Sequence, residues 1–177
     1  MDFFNVVSVE EAQRKVVEVF EDYIFEKEYI PLLEATHRIL GEDIISNIDV
    51  PEFNRSTVDG YAIKSKESHG ASESMPSLFN IIGEVHMGEV SKYNIKSGEA
   101  VYVPTGGMVP EGADGMVMIE NTEKLDESTL MVYKSISFNE NMILKGDDIK
   151  IGEIALEKGR RITPESIGVL AALGILQ

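Results

Sequence analysis

Apolar residues recur at helical spacing near the start of the chain. They are Val9, Ala12, Val16, Val19, Phe20 and Tyr23. Steps of three and four residues place these side chains on one face of an α-helix. Ser8, followed three residues later by Glu11, forms the signature of a capping box just before this pattern. The spacing predicts an amphipathic helix of about 16 residues. Its apolar stripe needs a partner, either the chain's own core or another subunit.

Shorter elements are predicted after this helix and near the other end of the chain. We expect a short strand over 29–32, a helix over 33–40 that Gly41 ends, and an extended segment over 42–50. Thr163-Pro164 predicts the start of a further helix and Gly174 predicts its end. Another apolar run begins after Gly174, so we expect the sequence to be a piece of a longer protein.

The middle of the chain changes to short apolar runs separated by Gly, Pro, Asn and Asp. Six runs have the length and spacing of short strands: 61–63, 79–85, 100–103, 116–119, 130–133 and 136–138. The small polar residues of 65–77 predict a mobile surface loop. We therefore expect an α+β protein in which helical segments accompany a small β-barrel or sandwich.

Composition and charge exclude several classes of function. The chain has 16 Lys and Arg against 31 Asp and Glu, a net charge of −15, so we expect it to bind neither nucleic acid nor an acidic membrane. It has no cysteine, which excludes disulfides, thiolate zinc sites and cysteine nucleophiles. No apolar run approaches the roughly 20 residues of a membrane span, and the first residues lack the pattern of a signal peptide. The expected location is the cytoplasm.

Three polar clusters could carry chemistry, and each also fits a structural turn. The pair Asp59-Gly60 is either a common turn or a turn that presents Asp59 as a metal ligand or general base. In Thr105-Gly106-Gly107, paired glycines let backbone amides approach an anion. Asp148 follows Gly146-Asp147 in an acidic loop that could bind magnesium through oxygen. The three histidines are scattered and lack the spacing of a metal site.

These clusters belong to three longer motifs that follow one another in order. The motifs are Ile48 to Ile63, which contains Asp-Gly-Tyr-Ala; Val103 to Gly107 with Pro110 to Asp114, Val117 and Glu120; and Gly146 to Ile149 with Gly152, Leu156, Gly159, Ile162, Pro164 and the helix that Gly174 ends. In order and spacing the motifs resemble the N-terminal region of the MoeA family of molybdopterin molybdenumtransferases, to which the gephyrin E domain is related.

The resemblance implies two domains within this chain. One is discontinuous, formed by 1–45 and 145–177, mainly helical with a few strands, and responsible for dimerisation. The other is an inserted β-rich domain over 46–144. Family members are elongated homodimers, and they continue into C-terminal domains that bind molybdopterin and that this sequence does not contain.

The resemblance also implies a reaction. The family inserts molybdate into adenylylated molybdopterin with Mg²⁺ and releases AMP, and molybdopterin adenylyltransferase is the expected upstream partner. Asp59, Thr105 and Asp148 would be the catalytic residues, with Asp59 and Asp148 binding the metal or a water. Thr105 would bind an oxyanion together with the substrate-binding Gly106 and Gly107.

Glu120 is a weaker candidate for substrate binding. The family cleft lies between two subunits and the pterin pocket is missing from this sequence, so we expect the chain alone to be inactive. Ile143 and Leu144 stand where the family usually has arginines, and Gly107 stands where alanine is commoner. Only Lys145 is basic there, and an amine is a poor substitute for a planar guanidinium on an oxyanion.

Two alternatives stay open. The first is a non-catalytic module that uses the same fold for dimerisation or scaffolding. The second is an unrelated acidic β-domain that binds a metal. The sequence also leaves open whether molybdate or tungstate is the oxyanion.

Overall fold

A computed structural model describes residues 6–21 and 23–177 of the chain. Backbone contacts divide the chain into two compact units. The first is formed by Met1–Gly41 with Arg161–Gln177, and the second by Glu42–Arg160. The segment 145–160 thus lies in the strand-rich unit, and the domain boundaries expected from the family resemblance stay a prediction.

The first unit contains both α-helices of the described residues. Helix α1 (Val9–Phe20) begins at Ser8, whose Oγ accepts a hydrogen bond from the Glu11 amide at 3.1 Å. Helix α2 (Pro164–Ala172) begins at Thr163, whose Oγ1 accepts from the Ser166 amide at 3.3 Å. Both predicted helix starts are confirmed, although α1 has 12 residues rather than about 16.

The prediction of a mainly helical domain is wrong, and so is the predicted α+β class with its mainly helical part. The described residues form two short helices and ten strands. The predicted helix over 33–40 is only a 3₁₀ turn, Leu32–Glu34, and His37 follows it with a φ of 71°. The amide of His37 donates to the carbonyl of Ile162, and the amide of Ile162 donates to Arg38, both at 2.8 Å. Pairing with a distant segment therefore satisfies this backbone, and no strand forms over 29–32.

The second unit holds the strands. Their bounds are β1 (Ile44–Ile45), β2 (Arg55–Ser56), β3 (Gly60–Ile63), β4 (Ser77–Glu84), β5 (Glu99–Val103), β6 (Gly115–Met118), β7 (Thr122–Lys124), β8 (Thr129–Val132), β9 (Met142–Ile143) and β10 (Ile154–Leu156). Strands β1 and β10 pair, as do β2 and β9, while the other six form one sheet in the order β6-β3-β5-β4-β8-β7. Five of the six predicted strand runs are confirmed. The run over 136–138 is not a strand, although Ile136 is buried.

The six-stranded sheet is curled and buries side chains on both faces. Its edge strands, β6 and β7, are joined only by the 3₁₀ helix Ile119–Asn121. On one face, Ile136 from outside the sheet packs with the sheet residues Tyr61, Ile63, Phe79, Ala100, Val117, Leu130 and Val132. On the other face, Val85, Ile95 and Val109 from outside the strands pack with Ala62, Val101, Val103 and Met116. Burial on both faces explains why these strands read as continuous apolar runs rather than as alternating ones.

The segment predicted as a mobile loop is anchored at its start. Ser65–Ser68 forms a 3₁₀ helix in which both terminal serines are buried. The Ser68 hydroxyl donates to the carbonyl of Ser65 at 2.7 Å and accepts from the amide of Ile136 at 3.0 Å. The polar residues at the start of this segment therefore do not indicate mobility, because the Ser68 hydroxyl satisfies buried backbone groups. Within the described ranges, neither helix is long and apolar enough to span a bilayer.

Candidate functional site

Three strands of the curled sheet bring the predicted residues to one edge. Strand β3 runs antiparallel to both β5 and β6, with Gly60 opposite Val103 on one side and Met118 on the other. The start of β3 therefore lies beside the ends of β5 and β6. Asp59 immediately precedes β3, Thr105 follows β5, and Glu120 follows β6.

Asp59 and Thr105 form a direct pair at this edge. Oδ1 of Asp59 accepts a hydrogen bond from the Thr105 amide at 2.7 Å and another from Thr105 Oγ1 at 3.0 Å. Both residues are exposed. Two donors on one carboxylate oxygen fix its orientation and leave Oδ2 without a protein hydrogen bond among the described residues. The result is an oriented carboxylate that faces solvent.

The glycines after Thr105 form a tight turn against β2. The Gly106 amide donates to the carbonyl of Ser56 at 2.8 Å, and the Gly107 amide donates to the carbonyl of Pro104 at 2.9 Å. Gly106 has a φ of +81°, and a Cβ at Gly107 would lie 2.9 Å from the Pro104 oxygen. These amides, predicted as oxyanion donors, already have carbonyl partners in this conformation.

Glu120 lies next to the Asp59 backbone. It is the central residue of the 3₁₀ helix Ile119–Asn121, and the amide of Ile119 donates to the carbonyl of Asp59 at 2.9 Å. Its side chain is exposed. The structure therefore brings Asp59, Thr105 and Glu120 to one edge of the sheet.

Asp148 lies in the loop that follows β9. Its amide donates to the carbonyl of Val50 at 2.9 Å, and its exposed carboxylate has no hydrogen-bond or ion-pair partner in the part of the chain described. No hydrogen bond joins it to Asp59 or Thr105 among those residues. The nearby Lys145 Nζ lies 3.3 Å from Oδ2 of Asp49. The one basic residue in place of the family's arginines is therefore already paired.

The pKa of Asp49 reflects that arrangement. The Ile151 amide, which donates to Asp49 Oδ1 at 3.0 Å, is the main cause that lowers the pKa of this carboxyl, and Lys145 adds to it. Asp49 thus stays ionised as the partner of Lys145.

The carboxylates do not form a complete metal cage. Over 6–21 and 23–177, no group of three or more His, Cys, Asp or Glu side chains is placed to hold a metal ion. Mg²⁺ commonly takes only one or two protein carboxylates and completes its octahedron with water and substrate phosphates. The solvent-facing Oδ2 of Asp59 fits that mode of binding, and the oxygen-only donor set suits a hard cation.

An open cleft of about 360 Å³ adjoins Asp59 through Ile119, whose amide donates to the Asp59 carbonyl, and no sequence pattern indicated this cleft. We call it the sheet mouth; its lining residues are Tyr61, Ile81, Gly83, Glu84, Tyr102, Ile119 and Lys124. The rings of Tyr61 and Tyr102 meet edge to face, with centroids 5.5 Å apart. These residues come from five separate parts of the sheet and its connections, so no local spacing signals them. Alternation along β3 and β5 could have indicated only that both tyrosines share a face.

The charge of Asp59 affects the pKa of Tyr102, which lines the sheet mouth. Burial is the main cause that raises the pKa of the Tyr102 phenol, and the negative charges of Asp59 and Glu84 raise it further. The phenol therefore stays protonated near neutral pH and can donate a hydrogen bond. The Oε1 of Glu84 lies 3.5 Å from Nε2 of His86.

Comparison with known proteins gives consistent matches along most of the chain. The sequence profile of a family described as the MoeA N-terminal region (domain I and II) matches residues 7–174. A molybdopterin molybdenumtransferase of Staphylococcus aureus is 38% identical over 170 residues, which cover 96% of this chain and 40% of that protein. One from Staphylococcus epidermidis is 39% identical over 169 residues, which cover 95% and 39%.

A solved structure agrees with the fold. The crystal structure of a molybdopterin biosynthesis moeA protein from Pyrococcus horikoshii OT3 superposes with a TM-score of 0.82 at 36% identity. The match covers 92% of this chain and 44% of that one. The chain thus spans about 40% of the length of the curated relatives it matches.

Proposed function

Because the chain belongs to the family of MoeA N-terminal regions (domain I and II), we propose that it forms part of a molybdopterin molybdenumtransferase. The reaction would insert molybdate into adenylylated molybdopterin, with magnesium-dependent release of AMP. The identity to curated relatives supports the reaction class. We propose further that this chain alone is inactive, because it spans about 40% of the length of those relatives.

The observation that carries the proposal is the pair of Asp59 and Thr105. A carboxylate held by two hydrogen bonds at a solvent-facing edge is oriented before any ligand arrives, and orientation reduces the cost of reaching a transition state. Asp59 would use its second oxygen to hold a water or a cation beside the phosphate that is cleaved. Thr105 then acts as a positioning residue, since both of its donors are engaged by Asp59.

Magnesium would supply charge neutralisation on the substrate phosphates when it is bound. Asp59 offers a fixed oxygen for it, and substrate and water would complete the coordination. We place Asp148 in a separate part of the site, where its unpartnered carboxylate faces solvent. Glu120, beside the Asp59 backbone, would orient water or a ligand rather than bind metal in a cluster.

We also propose that the chain acts as a homodimer and receives its substrate from a molybdopterin adenylyltransferase. Helix α1 supports the first part, because none of its residues is buried and its apolar side chains are exposed. The same face would serve the alternative of a non-catalytic dimerisation or scaffold module. The two functions differ in whether Asp59 matters for AMP release.

The experiment measures AMP release from adenylylated molybdopterin with Mg²⁺ and molybdate. The chain is tested alone and mixed with the full-length Staphylococcus aureus relative, disabled at the aspartate of the family's Asp-Gly-Tyr-Ala motif. We expect AMP only in the mixture, because Asp59 would complete a site shared between subunits. Asp59→Asn in this chain should reduce the rate by roughly a hundredfold or more.

Asp43→Asn is the matched control. Asp43 is also an exposed aspartate whose Oδ1 accepts a backbone hydrogen bond, from Lys158 at 2.7 Å, but it lies beside β1 and away from the Asp59 edge. The mixture containing this variant should keep its rate. No AMP from a mixture in which mixed dimers are demonstrated would refute the catalytic proposal and favour the scaffold module.

A further inference from the structure

We propose that the sheet mouth binds a flat nitrogen heterocycle that carries a phosphate ester, and so holds one ring system of the substrate while Asp59 faces the phosphate. The proposal rests on the proposed function for the identity of the substrate. The location of the ring site and the groups that would contact the ring are taken from the structure. Both halves of adenylylated molybdopterin contain such a ring, and the experiment below distinguishes adenine from pterin.

The first support is the position of the cleft in the fold. Ligand sites occur preferentially at the mouths of barrel-like sheets. A bulge in β4, between Ile81 and Gly83, lies on the wall of the cleft. Ile81 packs on the face of the Tyr61 cluster, whereas Ile82 packs on the opposite face. Bulges of this kind redirect side chains next to binding sites.

The second support is a buried tyrosine whose polar end has no protein partner. Tyr61 is only 3% exposed, and its hydroxyl makes no hydrogen bond within the described residues. No side-chain oxygen or nitrogen in those residues is both fully buried and without a partner. Solvent therefore reaches the Tyr61 hydroxyl. The same holds for the hydroxyl of Tyr102.

The third support is the set of groups around the rings. Ile81 and Ile119 give apolar contact for a flat ring, and two phenols can donate to ring nitrogens or a carbonyl oxygen. The Glu84 carboxylate can accept from a ring amino group. The Lys124 amine has no ion-pair partner among the described residues, so it is available to a phosphate.

Size limits what the cleft can hold. Pockets for small molecules run from about 300 to about 1,000 Å³, so 360 Å³ is enough for one ring system but not for the whole substrate. The rest of the substrate would extend from the sheet mouth past Asp59. This direction follows because Ile119, which lines the sheet mouth, donates its amide hydrogen bond to the carbonyl of Asp59 at 2.9 Å.

The test titrates the 177-residue chain with AMP, adenosine, neopterin phosphate and ribose 5-phosphate, and follows the ring signals of the tyrosines by NMR. We expect shifts of Tyr61 and Tyr102 with AMP or with neopterin phosphate, and none with ribose 5-phosphate. The compound that binds identifies the ring. Glu84→Gln and Tyr102→Phe should each weaken binding roughly threefold to tenfold.

Lys124→Gln tests the phosphate contact. If AMP binds more tightly than adenosine in the unaltered chain, this variant should remove the difference, since it deletes the cation alone. Tyr29→Phe is the matched control, because Tyr29 is an exposed tyrosine of the other unit, and it should leave every affinity unchanged. Thermal melts of each variant show that it is folded.

The outcomes separate this inference from the proposed function. Absence of binding by both heterocycles, or binding that Glu84→Gln and Tyr102→Phe leave unchanged, refutes the sheet mouth as the ring site. If AMP release nevertheless succeeds in the mixture described above, the proposed function stands without it. Ring binding without AMP release would overturn the proposed function and keep the cleft as a heterocycle site.

Discussion

At the scale of single residues, the Asp59 edge depends on the glycine that follows it. Gly60 lies between β5 and β6, and a Cβ on it would come 1.9 Å from the Val117 carbonyl oxygen. Real side chains do not approach backbone oxygen so closely. The Asp-Gly pair is therefore more than a turn signal, since only glycine lets β3 start where Asp59 meets Thr105.

Gly60→Ala should destabilise the strand-rich unit by roughly 2–4 kcal/mol, because backbone in the centre of a sheet cannot yield as a side chain would. Urea unfolding measures the change. The control is Gly168→Ala in α2, where a Cβ meets nothing within 4 Å and the helix gains about 0.5–1 kcal/mol. Equal effects of the two substitutions would contradict the steric explanation.

Thr105→Val tests the positioning role of the Thr105 hydroxyl. Valine keeps the shape and the backbone donor but deletes the 3.0 Å hydrogen bond to Asp59. We expect AMP release in the mixture to fall roughly tenfold, and the free energy of unfolding to change by less than about 1 kcal/mol, since the pair is exposed. Thr105→Ser, which keeps the hydroxyl, should restore most of the rate. A valine variant with full activity would leave Thr105 without this role.

At the scale of elements, the sequence was most informative where a signal is local. Ser8 and Thr163 cap helices that begin at the next residue, and five apolar runs became strands. The helix over 33–40 failed because the fold offered its backbone better partners, in Ile162 and Arg161. Such pairing joins residues more than a hundred positions apart, so the helix propensity of a local segment cannot predict it.

In the candidate site, too, local sequence signals were informative and long-range pairing could not be predicted. Asp59 and Thr105 are 46 residues apart, and spacing alone did not distinguish a functional site from an ordinary turn at either of them. Only the order of the three motifs indicated that they belong together. The sheet mouth was missed entirely, because Tyr61, Glu84, Tyr102 and Lys124 come from four strands whose register the sequence does not give.

The turn between β7 and β8 gives a prediction about pH. Asp126 accepts hydrogen bonds from the amides and hydroxyls of Ser128 and Thr129, and the Ser128 amide is the main cause that lowers its pKa from the ordinary 3.8. Since the folded pKa lies below the unfolded one, this carboxylate stabilises the turn above the unfolded value. That contribution disappears as the pH falls through the folded pKa.

NMR titration of the Asp126 carboxyl carbon should therefore give a midpoint below 3.8. Asp126→Asn should lower the melting temperature near neutral pH, and the difference from the unaltered chain should shrink as the carboxyl becomes protonated. A midpoint at or above the ordinary value, or a difference that grows in acid, would contradict the hydrogen-bonded turn.

At the scale of the whole molecule, a strongly acidic chain carries one exposed apolar stripe, on helix α1. The chain carries a net charge of −15, which keeps copies apart at low ionic strength. Helix α1 nevertheless exposes an apolar stripe, with Val16 59% and Phe20 57% exposed. A stripe of this kind is a candidate for association between copies.

We predict that the chain forms a homodimer through α1 and that added salt strengthens it, because salt screens the repulsion and leaves apolar burial intact. Sedimentation velocity measures the association. The double variant Val16→Gln, Phe20→Gln should be monomeric at the same concentration. Glu18→Gln, on the opposite side of the helix, should not change the dimer. A double variant that remains dimeric would place the interface elsewhere.

The edges of the curled sheet affect how readily strands from other copies of the chain can pair with it. Its two edge strands, β6 and β7, have only four and three residues, and β7 ends on the exposed charges of Glu123 and Lys124. A short strand offers few backbone groups to a strand from another molecule, and the charges of β7 oppose such pairing further. The sheet therefore offers little unpaired backbone at its edges for growth into fibrils.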